Sequence, residues 1–137
     1  MTAGLRHVDL CVSDLDRSLE FYRVFLGLLG WPIEAPAEII GEQGEDVIYL
    51  GPPSGHGDGA VGLRQAQTIR PIDRYQVGLH HLAFNAESRE AVDAVWKWIQ
   101  AEEIENEGPP RPYYSGAYYA VFFRDPDQIK LEVVHRP

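Results

Sequence analysis

The chain has 137 residues, 45% of them hydrophobic and 24% charged, which is enough apolar material for one compact domain burying roughly two thirds of its unfolded surface. Twelve Lys and Arg stand against 21 Asp and Glu, a formal net charge of −9, which leaves little for a phosphate-binding patch and argues against a nucleic-acid partner. One cysteine excludes an internal disulfide, no apolar run reaches the ~18 residues of a membrane span, and no basic-then-apolar leader follows Met1, so no membrane partner and a cytoplasmic location are expected.

The first element is the alternating run 5–12. Successive strand side chains point to opposite faces, so Val8, Leu10 and Val12 share one face and His7, Asp9 and Cys11 the other. Cys11 reads as a small strand residue. Ser13 or Asp14 can cap the helix that follows, and Asp16 adds negative charge to its first turn. Leu15, Leu19, Tyr22, Leu26 and Leu29 recur at helical steps; Gly27 and Gly30 mark the end, and Pro32 blocks resumption. Short strands are predicted over 33–40, 46–50 and 60–67. The Gly- and Pro-rich stretch 51–59 between the last two is an irregular loop whose His56 reads as a solvated residue. Arg64, Arg70 and Arg74 read as a solvated basic stretch, and the run 68–75 is too short to link independent domains.

The second half repeats the plan. A strand over 79–86 puts Leu82, Phe84 and Ala86 opposite His81, Ala83 and Asn85. Ser88 caps a helix with Ala91, Val95, Trp98 and Ile99 on one side, ending in a solvated acidic tail. Pro109-Pro110-Arg111-Pro112 reads as a stiff connector. Tyr118–Arg124 is a β-prone strand, Asp125-Pro126-Asp127-Gln128 a turn, and 129–135 the last strand, with Ile129, Leu131 and Val133 opposite Lys130, Glu132 and Val134. Aligning His7 with His81, an offset of 74 residues, matches Leu5 to Leu79, Val8 to Leu82, Leu10 to Phe84 and Tyr22 to Trp96. The expected fold is α+β, one domain of two strand–helix–strands modules, about 1–70 and 76–137, with helices on the apolar faces of curved mixed sheets.

His7, His81 and Glu132 each lie on the more polar face of a strand. Two imidazoles and a carboxylate suit a divalent metal with open positions. Glu132 sharpens the point, because a carboxylate in an apolar strand is costly to bury without a partner. Asp9 shares the face of His7 and can orient it. Tyr113, Tyr114, Tyr118 and Tyr119 cluster before the final strand; Tyr118 and Tyr119 are the candidates for a catalytic hydroxyl. No serine has a nucleophile-elbow context, and no helix pattern follows the 51–59 glycines to make a phosphate loop.

Four stretches resemble the vicinal oxygen chelate superfamily of glyoxalases, bleomycin-binding proteins, fosfomycin-resistance enzymes and extradiol dioxygenases. They are Leu5-Arg6-His7-Val8-Asp9-Leu10 leading to Leu19-Glu20-Phe21-Tyr22; Leu26-Gly27-Leu28-Leu29-Gly30-Trp31; Gly78-Leu79-His80-His81-Leu82-Ala83-Phe84; and Phe123-Arg124-Asp125-Pro126-Asp127-Gln128 leading to Leu131-Glu132. The resemblance implies two βαβββ modules around a metal-bearing cavity, with His7, His81 and Glu132 as ligands. It also implies a small-molecule substrate and a homodimer. His80, of opposite strand parity to His81, should face the helix side or an interface. The family turn carries glycine where this chain has Gln128, which would be strained at positive φ. Matching Leu63 to Leu131 sets Arg64 against Glu132, with Gln65 next to it, and arginine cannot ligate a metal. That favours a three-ligand, dioxygenase-like site over a four-ligand glyoxalase site, with Fe(II) or Mn(II) ahead of Zn(II) or Ni(II). The rival expectation is a metal-free protein that sequesters a small molecule in the same cavity.

Overall fold

The computed structural model describes residues 3–34, 36–52 and 59–137; His56 and most of its loop lie outside the described residues. The chain divides into two compact units, Met1–Arg70 and Pro71–Pro137. Each is a four-stranded mixed sheet with one helix, and together they are the two repeated modules of an α+β fold.

In the first unit β1 (His7–Val12) leads to α1 (Leu15–Leu28), then β2 (Ala37–Ile40), β3 (Asp46–Leu50) and β4 (Ala60–Gln65), in the order β1-β4-β3-β2. Asp14 caps α1 by accepting from the Arg17 N–H. Gly30, at φ 84, ends it: the N–H groups of Gly30 and Trp31 bond the carbonyls of Gly27 and Leu26, a left-handed termination that glycine adopts without strain. Leu10, Val12, Leu50, Val61 and Leu63 of the sheet and Tyr22, Phe25 and Leu26 of α1 are all buried and form the core of this unit. The predicted strand at 33–40 shortens to β2, which Trp31, Pro32 and Ile33 precede outside regular structure.

The second unit repeats this with β5 (His81–Asn85), α2 (Arg89–Ala101), β6 (Arg111–Tyr113), β7 (Tyr118–Arg124) and β8 (Lys130–His135), ordered β5-β8-β7-β6. Ser88 caps α2 through the Ala91 N–H. Of its expected face, Val95 and Ile99 are buried, joined by Val92, while Ala91 and Trp98 are half-buried, the Trp98 ring 6.0 Å from that of Phe123. Residues 111–113, expected as a connector, form an edge strand. Pro112 fits there because an edge position spares its missing N–H. Gln128 does adopt positive φ, 68°, in a turn held by the buried Asp125 carboxylate, which accepts from the N–H groups of Asp127 and Ile129. No helix among the described residues is long and apolar enough to cross a membrane.

Candidate functional site

In the second unit, strand register sets the site. β8 is an inner strand, with Lys130 and Glu132 paired to His81 and Ala83 of β5 on one side and to Arg124 and Phe122 of β7 on the other. All six side chains therefore share one face, while Leu82, Phe84, Leu131, Val133, Val121 and Phe123 take the other, toward α2. Glu132 is 4% exposed. Its Oε1 lies 3.2 Å from Nε2 of His81, and its Oε2 accepts a short hydrogen bond from the Tyr118 hydroxyl. No Lys or Arg among the described residues pairs with it. Burial, and then the adjacent Glu132, push the Tyr118 hydroxyl up to about 12, so at neutral pH it is a donor.

His80 departs from its expected side. β5 begins at His81, so strand alternation does not extend back to residue 80. Its Nδ1 instead lies 2.7 Å from Nδ1 of His81, one ring supplying the proton, and this leaves His81 Nε2 aimed at Glu132. Tyr119 points the other way from Tyr118: its hydroxyl donates to Asp93 of α2 at 2.6 Å, with the Arg89 guanidinium 4.7 Å from its ring centre. Tyr119 therefore stands on the face opposite His81 and Glu132. Tyr113 and Tyr114 pack edge-on against Tyr118.

The first unit carries a different network on the corresponding face. Nδ1 of His7 lies 2.8 Å from Oδ1 of Asp9. Asp9 Oδ2 accepts from the Tyr49 hydroxyl at 2.8 Å and from Arg64 at 2.6 Å, and Arg64 also bonds Glu45 at 2.8 Å. Burial would raise the Asp9 pKa, but the bonds from Tyr49, Arg64 and His7 outweigh it and hold the carboxyl below its usual range. Asp9 thus fixes the His7 ring and leaves Nε2 free of that contact. His7 and Tyr49 also line a cavity of about 670 Å³, with Arg6, Glu34, Ile39 and Pro52.

Register corrects one comparison between the modules. His7 pairs with Ala60 and Asp9 with Gly62, whereas His81 pairs with Lys130 and Ala83 with Glu132. The counterpart of Glu132 is therefore Gly62, two residues from Arg64. A Cβ at Gly62 would lie 2.5 Å from the Tyr49 ring and 2.6 Å from Asp9 Oδ1. The first module offers no last-strand ligand because Asp9 and Tyr49 fill that space.

His7 thus has one ring nitrogen engaged within its own unit, and His81 has both, Nδ1 with His80 and Nε2 with Glu132. Among the described residues no group of three or more His, Cys, Asp or Glu is placed to hold a metal ion; the second unit holds a histidine–carboxylate pair, the first a histidine with an orienting carboxylate. The second unit's pair, an imidazole nitrogen and a carboxylate, is of the donor types that divalent metals take.

Two βαβββ modules, each with a first-strand histidine, define the class. The chain belongs to the glyoxalase/bleomycin resistance protein/dioxygenase superfamily, whose model matches residues 4–133. It is 32% identical over 133 residues to the uncharacterized protein YqjT of Bacillus subtilis (strain 168), covering 95% of this chain and 97% of that one. Among solved structures, a glyoxylase/bleomycin resistance protein/dioxygenase domain from Frankia sp. EAN1pec superposes with a TM-score of 0.78 at 24% identity, covering 100% of both chains. A mutant of the fosfomycin resistance protein FosX from Listeria monocytogenes, complexed with Mn(II) and 1S,2S-dihydroxypropylphosphonic acid, superposes at 0.67 with 20% identity, covering 100% of this chain and 95% of that one.

Proposed function

We propose that this protein is a metal-dependent enzyme that acts on a small oxygenated molecule, with His81 and Glu132 as the core of the metal site and His7 as the third donor. The observation that carries the reading is the state of Glu132. A carboxylate buried to 4% exposure, paired among the described residues only with a histidine and a tyrosine hydroxyl, is costly unless a cation completes its surroundings. Mn(II) in the FosX complex supports a divalent ion in this fold.

A bound Fe(II) or Mn(II) would supply Lewis acidity and open positions for two neighbouring substrate oxygens. The chain's own residues do the rest. Tyr118, protonated at neutral pH, holds Glu132 in one orientation. His80 and Asp9 play the corresponding part for His81 and His7. With Gly62 where the first module would bring a fourth ligand, the site follows the three-ligand pattern. We therefore place ring-cleaving dioxygenase chemistry ahead of glyoxalase-type isomerisation. The cavity beside His7 favours a second reading, metal-free sequestration of a small molecule.

Metal content after incubation with Fe(II) or Mn(II), together with oxygen uptake on a panel of catechols, tests the assignment. About one metal per chain, lost in His81→Ala, is expected. Metal-free wild type that still binds small aromatic ligands would reverse it in favour of sequestration. Thioester formation from 2-oxoaldehyde–thiol adducts without oxygen uptake would reverse the order of chemistries.

A further inference from the structure

The second unit carries a strip of positive charge in a chain whose acids outnumber its bases 21 to 12. Lys130 stands beside His81 in the β5–β8 register. Its ammonium lies 4.6 Å from the centre of the Phe122 ring and 3.1 Å from the Glu107 carboxylate. Arg124, across from Lys130 on β7, reaches the same carboxylate at 2.8 Å. Beyond His81 the strip continues through ring contacts: His80 at 4.9 Å, then Tyr75 at 5.0 Å from His80, and the Arg74 guanidinium 5.0 Å over Tyr75. Nε of Arg74 is buried with no hydrogen-bond partner among the described residues.

Lys130 and Arg124 thus stand beside the His81–Glu132 pair, with Arg74 farther along the strip, and one carboxylate, Glu107, serves the first two. The Lys130 and Arg124 side chains are 13% and 11% exposed, their counter-ion 39%. The cations are therefore more desolvated than the group that neutralises them, an arrangement that strengthens attraction for a further anion. Beside the charge stands an apolar wall: Tyr113 packs edge-on to Phe122 at 6.0 Å and to Tyr118 at 6.5 Å.

We propose that this strip is an anion subsite, in which Lys130 and Arg124 bind the carboxylate of a small aromatic acid whose ring lies against Phe122 and Tyr113. As a statement about substrate class it rests on the metal-dependent reading, but the anion contact itself needs no metal.

The test titrates metal-free, chelator-treated protein with benzoate and with benzamide, its neutral isostere. Benzoate is expected to bind at least about tenfold more tightly. That preference falls to about twofold or less in Lys130→Met, which keeps the aliphatic stem, and survives in Lys130→Arg. Equal affinity for the two ligands in wild type overturns the subsite even where a variant does not fold. A preference undiminished in both Lys130→Met and Arg124→Gln overturns it as well. Wild type that prefers benzoate yet takes up no Mn(II) or Fe(II) leaves the subsite standing and removes the metal reading; metal uptake with no benzoate preference does the reverse.

Discussion

The two modules share a plan but place their carboxylates differently. In the first, the carboxylate is Asp9 on the opening strand, and Arg64 and Tyr49 neutralise and hydrogen-bond it. In the second, Ala83 takes the place of Asp9, and the carboxylate is Glu132 on the closing strand, where the first module has Gly62. A tyrosine hydroxyl donates to the carboxylate in both. Only Asp9 has a permanent cation. One module has closed its charge network upon itself, and the other leaves a buried carboxylate that, on the proposed reading, a metal completes.

Substitutions that exchange the two situations test this comparison. Gly62→Ala should have the largest effect on stability, a loss of about 1–3 kcal/mol, because the new Cβ overlaps the Tyr49 ring and Asp9; thermal unfolding measures it, and an unchanged midpoint would mean that the space is not filled as described. Asp9→Asn should cost about 1–2 kcal/mol, less than a fully buried pair because both side chains keep some solvent contact, since Arg64 loses a charged partner. Glu132→Gln should behave oppositely in metal-free protein, leaving stability unchanged or raised within about 1 kcal/mol, because the amide still accepts from Tyr118 and a buried carboxylate whose partners are His81 and Tyr118, with no Lys or Arg among the described residues, becomes neutral. Equal losses in Asp9→Asn and Glu132→Gln would erase the distinction between the modules.

Asp9 and Tyr118, one from each module's tyrosine–carboxylate contact on this face, also shape the pH dependence of stability. Asp9 has a lowered pKa, so its contribution is present above the ordinary value of 3.8 and lost as pH falls through the lower folded value. Tyr118 is raised from 10.0 to about 12, so its contribution is complete below pH 10.0 and lost as pH climbs through about 12. Denaturant midpoints against pH should therefore show an alkaline decline that Tyr118→Phe makes shallower, the rest coming from Tyr49, raised by burial and its bond to Asp9, and Tyr119, raised by its bond to Asp93 and burial. The smallest effect is expected at Gln128→Gly: relief of the left-handed strain, less the greater freedom of glycine in the unfolded chain, should leave a gain of about 0.5 kcal/mol.

Much of this was legible in the sequence, and the exceptions have physical causes. Alternation and capping signals located β1, α1, β5, α2 and β8, because period and cap chemistry are local. The apolar setting of Glu132 marked it as a carboxylate in need of a partner, and β8 proved to be an inner strand. Pairing register, by contrast, depends on turn conformations that periodicity does not encode. That is why Arg64 rather than Gly62 stood opposite Glu132 in the sequence comparison. Tyr118 and Tyr119 are adjacent in one strand, so only one could face the site, and the β7–β8 register selected Tyr118. The His80–His81 contact was out of reach for a similar reason: alternation describes a strand, and β5 starts one residue later.

Mn(II) titration of wild type, Asp9→Asn and Glu132→Gln, followed by electron paramagnetic resonance of the free ion, tests the central claim most directly. The account predicts about one Mn(II) per chain in wild type, uptake weakened roughly 10–100-fold in Asp9→Asn through the orientation of His7, and none in Glu132→Gln. Full Mn(II) uptake by Glu132→Gln would contradict it.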